Sequence, residues 1–293
     1  MLFKGTMTAI ITPFTKSGVD YDSFAKLIEY QIDGGIDGIV FIGTTGEPAT
    51  MTGEEKKALR DFALKQVNGR VPVIFGTGSN CTQTAVENSI LAKEEGADGI
   101  LVVTPYYNKC TQEGLYLHYK AIADKCDLPM IIYNVPGRTG VNILPETAGR
   151  LAHSIPSIVG IKEACGNLEQ IAKTAEAING TQLQLMSGDD KLAVDIARLG
   201  GTTLISVASN ALPKEFAEIM KYANAKNFDK ADLLLNKYDK FVDLLFCEVN
   251  PIPIKYACSL LGLCQNELRL PLTPMSEGKA KTLKEEMQRL NII

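Results

Sequence analysis

The sequence predicts an α/β protein: a closed (β/α)8 barrel of the TIM type over residues 1–225, followed by a C-terminal helical extension over 226–293. Three observations carry this. Short β-branched runs alternate with amphipathic stretches; most runs are apolar throughout; and no shift in composition divides them. Continuously apolar runs suit parallel strands covered on both faces. A doubly wound open sheet is the alternative that the same alternation allows.

The strand runs fall at 8–11, 38–43, 72–76, 99–104, 130–133, 158–161, 183–186 and 203–207. Helices fill the seven gaps, and another follows the last run. Thr52 and Glu55 read as a capping box, each side chain satisfying an unpaired backbone N–H. Leu59, Phe62, Ala63 and Val67 then share one helical face. Asn167 and Gln170 have the related arrangement ahead of Ile171, Ala175 and Ile178. Gly34-Gly35, Gly96 and Gly200-Gly201 stand where helices end, supplying a left-handed cap. From about residue 226 helices continue without strands, at 233–246, 254–263 and 277–290, a tail suited to subunit contacts.

Hydrophobic residues at 45% and charged residues at 22% describe an ordinary globular chain. A net charge of −4 argues against nucleic acid, which calls for a basic face. The opening MLFKGTMTAIITPF has only a short apolar run, broken by Thr and Pro, unlike a secretory signal or a membrane span of about 20 apolar residues. No membrane partner is expected, and the cytoplasm is the expected location. Seven cysteines without a C-x-x-C pair speak against a disulfide framework or zinc site, so buried free thiols are expected. The only two histidines, His118 and His153, fall in predicted helices, which excludes a histidine-rich metal site.

In such a barrel, chemistry sits at the C-terminal ends of the strands. Strand two ends in Thr44 and Thr45, strand four in Tyr106 and Tyr107, and strand five in Tyr133 with Arg138 beyond. Strand six ends in Lys162 and Glu163, strand seven in Gly188, Asp189 and Asp190, and strand eight in Ser206. Lys162 follows an apolar run, and burial there would lower its pKa and free a nucleophilic amine. The same position also suits a structural lysine paired with Glu163 or an aspartate. Tyr133 and Tyr107, with Thr44, could pass protons, or each could be a packed residue with a satisfied hydroxyl. Thr44 and Thr45 could cup a carboxylate or simply form a turn. Arg138 offers a fork for a second carboxylate, or is a surface arginine. Phosphate fits poorly beside Asp189 and Asp190, and Gly76-Thr77-Gly78 lacks the third glycine of a dinucleotide fingerprint. Cys165 has no nearby histidine and reads as a core thiol.

These motifs together resemble the dihydrodipicolinate synthase family over nearly the whole chain. They are GTTGE at 43–47, TPYYN at 104–108, YNVPGRTG at 133–140, GIKEA at 160–164, SGDD at 187–190 and NPIPIK at 250–255. The resemblance implies condensation of pyruvate with aspartate semialdehyde through an imine on Lys162, with no cofactor and no metal. It implies a proton relay of Tyr133, Thr44 and Tyr107, and a pyruvate carboxylate held at Thr45. Arg138 would receive the second substrate's carboxylate, and the backbone carbonyls of Gly188 and Ile205 would line the pocket. It further implies a homotetramer, a dimer of dimers in which Tyr107 enters the neighbour's site. Lysine-sensitive members carry different residues where this chain has Gly53, Lys56 and Thr84, although Ala49, Asn80 and Tyr106 remain; weak or absent inhibition by lysine is expected. The alternatives are an N-acetylneuraminate lyase-like or other sugar-acid aldolase, a non-catalytic carboxylate-binding barrel, and a metal-dependent aldolase. The GRTG at 137–140 suits a small acidic aldehyde better than a sugar, and two histidines are a poor inventory for a metal aldolase.

Overall fold

The computed structural model describes residues 3–293. Eight parallel strands close into a barrel: β1 (Gly5–Ala9), β2 (Gly38–Phe41), β3 (Val73–Gly76), β4 (Gly99–Val103), β5 (Met130–Asn134), β6 (Ile158–Glu163), β7 (Gln184–Ser187) and β8 (Thr203–Ser206). Pairing runs in chain order, and β1 meets both β2 and β8 to close the ring. Between and after them lie α1 (Tyr21–Asp33), α2 (Gly53–Val67), α3 (Thr82–Glu94), α4 (Gln112–Ala123), α5 (Pro145–Ser154), α6 (Leu168–Ala177), α7 (Ala193–Arg198) and α8 (Pro213–Asn224). The expected capping box is present: Thr52 N donates to Glu55 Oε2 at 2.9 Å, and Glu55 N donates to Thr52 Oγ1 at 3.1 Å.

Strand alternation sorts the core into two layers. Met7, Val40, Ile74, Leu101, Ile131, Met186 and Ile205 fill the barrel interior. Their neighbours, among them Phe41, Phe75, Ile100, Ile132 and Leu204, pack outward against the helices. Each fully buried side chain of this size contributes about 1.5–3 kcal/mol. The interior is tight enough to require glycine at one strand start: a Cβ on Gly38 would fall 2.5 Å from Met7 Cε.

Three departures from the sequence reading have physical causes. The first strand begins at Gly5, ahead of the expected 8–11. Its Thr6 and Thr8 are fully buried because their hydroxyls donate to Phe216 O at 2.8 Å and Gln31 Oε1 at 2.7 Å, so an apolar run is not needed there. The expected helix at 233–246 is two helices, α9 (Phe228–Lys237) and α10 (Asp239–Leu245), separated at the buried Tyr238 with ψ 4°. All seven cysteines are free, but only Cys126, Cys258 and Cys264 are buried; Cys81, at the outward turn into α3, is exposed.

After α8 the chain adds α9, α10, α11 (Ile252–Leu260) and α12 (Glu277–Arg289). Leu283 and Met287 bury one face of α12, which packs on α10 and α11. Among the described residues no helix is long and apolar enough to cross a membrane.

Candidate active site

Lys162 is the penultimate residue of β6, registered against Tyr133 of β5 and Met186 of β7. Alternation turns Lys162 into the barrel mouth and Glu163 outward, beneath the helices. Pairing with Glu163 is thereby ruled out. Glu163 is instead fully buried, accepts from Asn134 Nδ2 at 3.1 Å, and is pushed up to about 7 by burial.

Lys162 is 4% exposed, and its amine lies 4.1 Å from the centroid of the Tyr133 ring. Loss of solvent lowers its pKa to about 8; the Asp190 carboxylate opposes this and Arg138 adds to it. Among the described residues no carboxylate forms a salt bridge with it. The chain of Lys162 runs close over Gly188, where a Cβ would sit 2.8 Å from Lys162 Cε, so this position needs glycine.

The amine opens on a cavity of about 300 Å³ whose wall includes Thr44, Thr45, Tyr133, Arg138 and Gly188. A second cavity of about 420 Å³ adjoins it and shares Thr44, Tyr133, Arg138 and Asn250. Thr44 and Thr45 lie on a 3-10 turn, Thr44–Gly46, that ends at Glu47 in the left-handed region with φ 57°. Thr45 is buried and its hydroxyl accepts from Asn250 Nδ2 at 3.1 Å. Tyr133 is held up to about 12, by burial first. Arg138 sits on the single turn Pro136–Thr139, and its Nη2 donates to the Asn250 carbonyl at 3.2 Å.

Two sequence candidates stand apart. Tyr107 is 88% exposed, has φ 74°, and lines neither cavity. Ile205 is fully buried in the inner layer and also lines neither; Val207, two residues on, does. Tyr133 and Thr44 share both cavities, and among the described residues no hydrogen bond joins their hydroxyls. In the outer cavity, Ala49, Lys56, Arg60 and Tyr106 are part of the wall. Gly53 opens α2, and Thr84 is exposed on α3 without lining this space.

Asp190 and Asn250 join the site without a role legible in the sequence. Asp190 is 1% exposed and accepts from Ser206 Oγ at 2.5 Å, Val207 N at 3.1 Å and Ala208 N at 3.2 Å. Burial carries it to about 6 against the pull of these donors. Asn250 is 5% exposed and comes from the helical tail, where an Asn-Pro step inside an otherwise helical pattern was the available signal. Among the described residues no group of three His, Cys, Asp or Glu side chains could hold a metal ion.

A desolvated, unpaired amine beside a phenol, a hydroxyl-bearing turn and a guanidinium can form an imine with a keto acid and handle a second acid beside it. The whole chain has relatives consistent with this chemistry. The family model described as the dihydrodipicolinate synthetase family matches residues 2–290. The 4-hydroxy-tetrahydrodipicolinate synthase of Alkaliphilus oremlandii is 49% identical over 292 residues, covering 100% of both chains. The crystal structure of dihydrodipicolinate synthase from Thermotoga maritima superposes with a TM-score of 0.98 at 41% identity, covering 100% of each chain. That of the chloride-inhibited enzyme from Acinetobacter baumannii, complexed with pyruvate, gives 0.96 at 46% identity and 99% of each chain. With the family match extending from the first barrel strand to the last helix, the chain belongs to the dihydrodipicolinate synthetase family.

Proposed function

We propose that the protein is a 4-hydroxy-tetrahydrodipicolinate synthase that condenses pyruvate with aspartate semialdehyde in lysine and diaminopimelate biosynthesis. The observation that carries the reading is the buried, unpaired Lys162 amine, lowered to about 8, at a strand end inside a cavity of about 300 Å³. The neutral amine adds to the pyruvate ketone and loses water to give an imine. Positive charge on the imine nitrogen draws electrons from the methyl group, which gives up a proton and becomes an enamine. Tyr133 and Thr44 pass the protons, and the Thr44–Gly46 turn, with the Thr45 hydroxyl, receives the pyruvate carboxylate. The enamine attacks the aldehyde, and Arg138 receives the carboxylate of the second substrate. That substrate's own amine then displaces Lys162 and closes the ring. The imine is its own electron sink, so no cofactor enters.

The finer assignments belong to the same proposal. Carbonyls of Gly188 and Ile205 line the pyruvate site. A homotetramer supplies the third hydroxyl, with Tyr107 of one subunit entering the site of its neighbour; its 88% exposure in the single chain supports this. Residues 1–225 form the catalytic barrel and 226–293 a helical region. Cytoplasmic residence is supported by seven free thiols.

The test is pyruvate consumption by the purified protein, run in parallel with aspartate semialdehyde and with N-acetylmannosamine. Turnover with the semialdehyde alone is expected. Turnover with the sugar alone would keep the imine and overturn the role of Arg138, and silence with both would overturn the enzymatic reading.

A further inference from the structure

Glu47 closes the GTTGE motif and Lys255 closes NPIPIK, and neither takes part in the chemistry above. Although they lie 208 residues apart, their side chains meet in an ion pair with both partners 0% exposed. The second Glu47 oxygen accepts from the Arg269 backbone N at 3.3 Å. The Phe14 ring lies beneath both cations, 4.3 Å from Lys255 Nζ and 4.2 Å from the Arg269 guanidinium. Arg269 also donates to Thr50 O at 3.1 Å and to Glu55 Oε2 at 2.8 Å.

These contacts converge on one short piece of backbone. Glu47 is left-handed, with φ 57°, a strained state for a residue with a side chain. Its N–H closes the Thr44–Gly46 turn on Thr44 O at 3.2 Å. Asn250 fastens the same turn through Thr45 Oγ1 at 3.1 Å. So the turn is held from behind by residues that follow the barrel. A buried ion pair seldom stabilises a fold more than well-packed apolar residues would, so its location points to fixed geometry.

We propose that Glu47 and Lys255 are positioning residues for pyruvate: the buried pair pins the left-handed corner behind the Thr44–Gly46 turn, so that the C-terminal helical region sets pyruvate affinity. This rests on the reading that the turn receives the pyruvate carboxylate. A purely structural pair would affect both substrates alike, or only the amount of folded protein.

The test is steady-state kinetics of the full-length double variant Glu47→Gln/Lys255→Met, with each substrate varied separately. Neither charge is left alone in this variant, which favours folding. The expected result is a rise of about tenfold in KM for pyruvate, with kcat and the KM for aspartate semialdehyde within about threefold. A pyruvate rise below about threefold, or an equal rise for both substrates, overturns the proposal. Should the double variant not fold, the single Glu47→Gln, which keeps the side-chain shape and removes the charge, decides: a rise of about twofold or more confined to pyruvate supports the proposal, and an unchanged value or an equal rise for both substrates overturns it. Absence of pyruvate turnover in the unaltered protein would instead defeat the functional reading itself.

Discussion

Lys162 and Lys255 are both buried near the C-terminal end of the barrel, and they differ in what faces the ammonium. Lys255 has the Glu47 carboxylate against it and the Phe14 ring below. Burial lowers its pKa, but Glu47 opposes the shift. Lys162 has a ring face and no carboxylate in contact, and burial takes it to about 8. Solvent loss penalises both cations; a carboxylate in contact offsets this in one case, and in the other the ammonium gives up its proton more easily than an ordinary lysine. Burial alone therefore does not make a lysine a nucleophile. What distinguishes the two is that no carboxylate touches the Lys162 amine, together with a cavity into which the amine opens.

The largest effect separating the two sites is on rate. Lys162→Ala should lower kcat by about ten-thousandfold or more, because the covalent route is lost, with circular dichroism and melting retained. A residual rate above about one per cent of the unaltered enzyme would break the contrast.

Stability should invert the order. Lys255→Met leaves a fully buried Glu47 carboxylate without its cation, and the expected loss is about 3–5 kcal/mol in urea unfolding. Lys162→Met removes a buried cation that has no salt bridge, so stability within about 1 kcal/mol of the parent, or above it, is expected. Equal losses in the two variants would contradict the distinction.

A smaller effect sharpens the Lys162 side. The charged groups acting on this amine include Asp190, which raises its pKa, and Arg138, which lowers it, with Asp189 on the same cavity wall. Asp190→Asn removes the stabilising anion, so the ammonium loses its proton more easily. The pH midpoint for imine formation, followed by the rate of reductive trapping, should move below about 8. A midpoint that stays in place or rises would remove Asp190 as the tuning group.

The smallest expected effect lies in the adjoining cavity. Lys56 stands on its wall, and an ammonium there repels a cationic effector. Lysine at about 1 mM should leave the rate within about twofold; half-inhibition at micromolar lysine would contradict this.

Much of this is legible in the sequence. Parallel strands under helices leave continuous apolar runs, and the rule that chemistry gathers at strand ends selected Lys162, Tyr133, Thr44 and Arg138, all of which line one cavity. The start of the first strand is hidden because hydroxyls buried against Phe216 and Gln31 look polar in sequence and are satisfied in space. The Asn250–Thr45 and Lys255–Glu47 contacts span 205 and 208 residues and leave no local pattern to read. Tyr107, outside both cavities of the single chain, shows the other limit: one chain's geometry carries no sign of the role proposed for it.

The most direct test of the contrast between the two lysines is borohydride reduction in the presence of pyruvate, with the modified residue located by peptide mapping. The expected result is a single adduct on Lys162, forming faster as pH rises through about 8. An adduct on Lys255 or another lysine, or no adduct at all, would contradict the claim that the unpaired buried amine is the nucleophile.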